Sequence, residues 1–155
     1  MTKPAAQTII HPSLAWVVFS GHTDYAWLKI LKPGFRHCYV VLKDNRQWMT
    51  IDPLFPYTEV VNHEIPLSFD LPQWLRGRGY TVVPARLNRD SVKPAPLMLF
   101  TCVEAVKRIL GIHARHVLTP WQLYKYLHHT PLARTIQSPT TLSLTPDKGE
   151  TLWEV

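Results

Sequence analysis

The sequence predicts a small α+β domain in which an antiparallel sheet packs against helices. Three observations lead there. Short β-rich runs separated by turn formers fill the first half of the chain, and two capped amphipathic segments follow in the second. The 155 residues, 46% of them hydrophobic, supply one real core and too little chain for two comfortable ones.

In order, LAWVVFS at 14–20 reads as a buried strand. DYAWLKILK at 24–32 reads as a short helix with Asp24 near its start, Tyr25, Leu28 and Leu31 as the inward candidates, and Pro33-Gly34 as its stop. HCYVVLK and RQWMTID, with Asp44-Asn45 between them, describe a two-residue hairpin that Pro53 closes. Further strands are expected near 57–61 and 80–85, the latter an edge strand or a strand end because of Pro84. Between them, 62–79 carries Pro66, Pro72 and an RGRG tract and reads as a surface excursion, as does 84–96.

CVEAVKRIL at 102–110 is a well-marked helix: Thr101 caps it, Glu104 completes a capping box, Gly111 ends it, and Glu104 and Arg108 form an i,i+4 pair. The same grammar recurs at 119–128, with Thr119, Pro120 and Gln122. The domain is therefore placed at 1–130, and 131–155 is a Ser/Thr/Pro-rich extended tail. Leu142, Leu144 and Trp153 would pin that tail to the body or to a protein partner.

Composition narrows the function classes. Two cysteines make neither a disulfide framework nor a four-thiolate metal site. Net charge +6 comes from dispersed basic residues, and no RNA-binding signature is present, so nucleic acid is the weaker partner class. His113 and His116 lack a convincing third ligand, so no metal and no cofactor is expected. No apolar run reaches the length of a membrane span, and MTKPAAQTIIHPS lacks the design of a signal peptide. The default location is cytoplasmic, with association with a phage or particle assembly as the alternative.

The hairpin generates a constellation. With Asp44-Asn45 as a two-residue turn, Lys43 opposes Arg46 and His37 lies directly across from Asp52, sharing a face with Tyr39, Thr50, Val41 and Trp48. Cys38, Val40, Leu42, Met49 and Ile51 point to the other, apolar face. Cys102 opens a capped helix, where free N–H groups and the helix dipole favour a thiolate. Cys102 is thus the candidate nucleophile, His37 its base and Asp52 the group that orients the base, whereas Cys38 is the structural cysteine. The plain alternative is that Cys102 simply packs its helix against the sheet.

These residues occur in FRHCYVVL, WMTIDPL and FTCVEAVKRILG. The order of histidine strand, polar residue on the next strand and late cysteine helix resembles the circularly permuted, papain-like branch of the NlpC-type cysteine hydrolases. That branch includes relatives of lecithin–retinol acyltransferase and bacterial and phage-associated proteins. The resemblance covers about residues 14–111 and departs where Arg36, not a small residue, precedes His37. It implies a papain-like core in circularly permuted order. It also implies Cys102 attack on an amide, isopeptide, thioester or ester carbonyl, with hydrolysis and acyl transfer both open.

An acyl or peptide-like substrate follows, a cell-wall peptide among the options. His22, Tyr39 and Trp48 are further candidates for substrate contact, and Arg86 and Arg89 for a carboxylate-rich one. The competing class is a non-catalytic structural or assembly protein on the same scaffold.

Overall fold

The computed structural model describes residues 14–22, 26–88 and 100–129. Asp24, Tyr25, Arg89 and the tail assigned to 131–155 lie outside the described residues.

Five strands form one sheet: β1 (Leu14–Ser20), β2 (His37–Lys43), β3 (Trp48–Pro53), β4 (Thr58–His63) and β5 (Thr81–Ala85). Their spatial order is β4-β3-β2-β1-β5, and every neighbouring pair is antiparallel. Three helices pack on it: α1 (Leu71–Gly77), α2 (Cys102–Leu110) and α3 (Pro120–His129). Pro84 lies on an outer strand, where a missing N–H costs least.

The period-2 pattern of the strands decides which helix covers which face. Ala15, Val17 and Phe19 of β1 join Cys38, Val40 and Leu42 of β2 on one face, under Val103, Val106 and Leu110 of α2 and Leu123 and Leu127 of α3. On the other face Val18, Val41, Trp48 and Val82 pack against Leu71 and Leu75 of α1. Fully burying one such aliphatic side chain is worth about 1.5–3 kcal/mol, so these two layers outweigh any single polar contact in the fold.

The hairpin departs from its expected register. Lys43 pairs with Trp48, Leu42 with Met49, Val41 with Thr50 and Val40 with Ile51. Asp44–Gln47 is therefore a four-residue loop, and Lys43 does not oppose Arg46. A two-residue type I′ turn needs positive φ at both central positions, and no described non-glycine residue has one. Asp44 instead turns its Oδ1 onto its own loop, accepting from the backbone N–H groups of Arg46 (2.7 Å) and Gln47 (2.8 Å).

The register thus moves by two residues. An even shift leaves every side chain on its expected face.

Two other expectations change. Residues 62–79 are not simply an excursion, because they contain α1. Asp70 caps it by accepting from the N–H of Gln73 at 2.9 Å, and Pro72 sits in the first turn, where its absent N–H has no intrahelical partner to lose. The segment near 24–32 is a 3-10 turn over Ala26–Ile30, with Ile30 exposed. Its tighter winding turns fewer side chains toward a common face.

The helix starts are realised to different degrees. Thr119 and Gln122 form the complete reciprocal box on α3: Gln122 Oε1 accepts from the N–H of Thr119 and Thr119 Oγ1 accepts from the N–H of Gln122. On α2 only the Thr101 half exists, with Oγ1 accepting from the N–H of Glu104. The Glu104 carboxylate turns instead to Lys107 (2.8 Å) and Arg108 (3.1 Å). Lys107 is buried and also donates to the carbonyls of Ala114 and Val117, so one ammonium ties α2 to the connection that leads into α3.

Candidate active site

The site forms at the end of the sheet where β1 finishes and β2 begins. Ser20 pairs with His37 there, and the two strand ends approach so closely that a Cβ on Gly21 would lie 3.1 Å from the Cα of Gly34. Arg36 N–H donates to the Ser20 carbonyl and fixes the entry into β2. Gly111 sits in the left-handed conformation at the far end of α2, and the N–H of Asn88, just beyond β5, donates to Leu110 there. Ala85 of β5 pairs with Ala15, at the opposite end of β1 from Ser20. Helix α2 therefore runs alongside β2 in the same direction, with Cys102 delivered to the His37 end.

His37 and Asp52 meet. The His37 Nε2 and Asp52 Oδ1 atoms are 2.6 Å apart, and both side chains are about four-fifths buried. The contact was expected between directly opposed residues. Continued along the strands, the observed register sets Asp52 across from Tyr39, so His37 reaches its partner on the diagonal. With Nε2 donating to the carboxylate, Nδ1 is the ring nitrogen left for Cys102.

Cys102 packs on the core cluster that contains Cys38. Its thiol is brought down to about 5, first by the hydrogen bond of Cys38, against the opposing effect of burial, and then by hydrogen bonding to and charge on His37. Burial alone would lower His37; the Asp52 bond, then the Cys102 contact, raise it to about 9. Between those limits the favoured state is a thiolate beside an imidazolium. Cys38 moves the opposite way, because complete burial, and then the neighbouring Cys102 thiolate, hold it well above the ordinary thiol range.

The remaining candidates separate. Tyr39 shares the His37–Asp52 face, with its ring 6.3 Å from the imidazole and 6.4 Å from the ring of Tyr80. Burial, then Tyr80 and Asp52, push its hydroxyl up, so it stays a neutral donor at the site. His22 is exposed beside Ser20, whose Oγ accepts from its backbone N–H at 3.0 Å.

Trp48 is a core residue at the other end of the hairpin, packed with Trp16 and beneath the Lys43 ammonium. Arg86 follows β5 at that same far end, about 20 Å from His37 by the rise of a strand. The structure therefore brings Tyr39 to the His37–Asp52 pair and leaves Trp48 and Arg86 away from it; Arg89 lies outside the described residues.

Strand alternation places Cys38 in the core, which it occupies, and does not reveal its second position, against the candidate nucleophile Cys102. The available signal was its place next to His37 on the face that the helix covers. Ser20 and Tyr80 were missed as well, because their proximity depends on pairing across β1 and on the return of β5.

His113 and His116 are exposed, and among the described residues no group of three or more His, Cys, Asp or Glu side chains is arranged to hold a metal ion. Among the same residues no helix is long and apolar enough to cross a membrane. No family model matches the chain, and neither does any curated protein or solved structure.

Proposed function

We propose that this chain is a cysteine-dependent hydrolase or acyltransferase on a circularly permuted, papain-like core of the NlpC type. One observation carries the reading: an aspartate-bound histidine and a thiol lowered to about 5 meet at the start of a capped helix. A cysteine that merely packs its helix needs neither partner.

In this reading Cys102 attacks the carbonyl carbon of an amide, isopeptide, thioester or ester. Backbone N–H groups of the first turn of α2 stabilise the oxyanion that forms, since they have no partner within the helix. His37, already protonated by the resting ion pair, gives its proton to the leaving group. It then takes one from water in hydrolysis, or from an amine or alcohol in transfer, as that acceptor releases the acyl-enzyme. Asp52 holds Nε2 and so keeps Nδ1 aimed at sulfur. Tyr39 and His22 line the same end of the sheet, where an acyl or peptide-like substrate, a cell-wall peptide included, would approach.

Alkylation of Cys102 by iodoacetamide across pH tests this. The expected rate rises through a midpoint near 5 and stays high above it, and His37→Ala moves the midpoint upward. A midpoint near the free-thiol value of about 8.5 that ignores His37→Ala rejects the activated thiolate and favours the structural or assembly role.

A further inference from the structure

The core contains a thiol that the proposed reaction does not consume. Cys38 is fully buried on β2, and Cys102 packs against the cluster it belongs to, with the two side chains hydrogen-bonded. Both cysteines of the chain are free and are brought into contact although 63 residues separate them. Packing alone requires a small apolar residue on the helix-facing side of β2, and valine fills that role at Val40. A sulfur atom set against the one exposed to reagents has a chemical use.

We propose that Cys38 and Cys102 are an oxidative modification site: a hydroperoxide converts the pair to a reversible disulfide that protects the candidate nucleophile. The proposal rests on Cys102 being an activated thiol, as in the reading above, but not on any particular acyl substrate.

The Cys102 thiolate attacks the outer oxygen of the hydroperoxide, and the O–O bond breaks. The sulfur is oxidised to a sulfenic acid while the peroxide leaves as an alkoxide or hydroxide, which takes a proton from the adjacent imidazolium or from water. The Cys38 sulfur then attacks the sulfenic sulfur. Its S–H proton leaves with the hydroxyl as water, and the S–S bond forms. A dithiol reductant returns both thiols.

Cys102 is partly exposed and takes the first step, whereas buried Cys38 meets only the sulfenic acid beside it. Without Cys38, further peroxide would drive Cys102 to the sulfinic acid, which ordinary thiols do not reverse. A disulfide requires Cβ atoms about 3.5–4.5 Å apart, so its formation reads the contact directly.

The test treats the full chain with hydrogen peroxide and follows intact mass, peptide mapping and Cys102 alkylation. The expected product is a monomer lighter by two hydrogens with a Cys38–Cys102 cross-linked peptide. Alkylation is lost on oxidation and returns fully with dithiothreitol. Cys38→Ser, with Cys38→Ala as a second variant against misfolding, should accumulate sulfinic acid and recover no labelling.

Wild-type protein that gains oxygen on Cys102 while Cys38 remains a free thiol overturns the proposal, and so does a disulfide formed only between chains. Alkylation of the reduced protein across pH separates the two readings. A low midpoint without the disulfide removes this proposal alone, whereas an ordinary midpoint removes the reading beneath it.

Discussion

His37 sits between a carboxylate and a thiol, and its protonation carries consequences in two directions. Its pKa is raised to about 9 in the fold, so the stabilisation it contributes is complete below its ordinary value near 6.5 and is lost as pH rises through 9. Cys102 is lowered to about 5, so its contribution is complete above the ordinary thiol value and is lost as pH falls through 5. The proposed reaction needs the thiolate and a proton on His37 together, so its rate should form a bell between those limits. Asp52→Asn keeps the shape and removes the charge. The expected result is a fall of about 10²–10⁴-fold in kcat/KM, the range for losing oriented acid–base catalysis, with the alkaline limb moving below 9. Titration of the His37 ring by NMR checks the cause, since its pKa should drop in the variant.

Among the elements, the hairpin shows what the sequence makes legible. Alternation in HCYVVLK and WMTID assigns each residue to a face, because buried and exposed positions differ chemically along the whole run. The turn is less legible, since its length depends on where one short side chain, Asp44, places an oxygen. His37 and Asp52 remained together because the displacement was even; an odd one would have separated them to opposite faces. Helix α1 was hidden for a related reason: Pro72 signals a break in a helix interior and is harmless in a first turn.

The start of α2 was legible in Thr101, whereas the Glu104 carboxylate was claimed by Lys107 and Arg108 rather than by the cap. Thr101 is therefore, among the described residues, the side chain whose oxygen caps the N–H groups at that start. Thr101→Ala should cost about 0.5–2 kcal/mol in denaturant unfolding. It should also slow Cys102 alkylation near neutral pH, because the loosened turn holds the thiolate less well.

Over the whole molecule, the sheet lies between two unlike layers, with α1 on one side and α2 and α3 on the other. The second layer is locked by a buried ion network in which Glu104 and Lys107 are 5% and 3% exposed. Burial opposes the Glu104 charge, but Lys107 and Arg108 prevail and hold its carboxyl below the usual range, so this contribution is present above that range and fails as pH falls through the lowered value. Lys107→Met leaves the buried Glu104 carboxylate with Arg108 as its remaining ion-pair partner and removes a donor from the Ala114 and Val117 carbonyls. It should destabilise the fold by about 3–5 kcal/mol at neutral pH, less in acid, as read by urea denaturation at several pH values.

The far end of α2 has a further meaning. At Gly111 the chain presses so closely on Asn88 that a Cβ would lie 1.9 Å from the Asn88 carbonyl oxygen, and φ there is +71°. A helix seated against that stop at one end and carrying the candidate nucleophile at the other acts as a spacer of set length. Its nine residues set a length of about 13 Å between the seat and the sulfur. The alignment of Cys102 with His37 thus also depends on the opposite end of the domain, on a residue that supplies both an empty Cβ position and a left-handed turn.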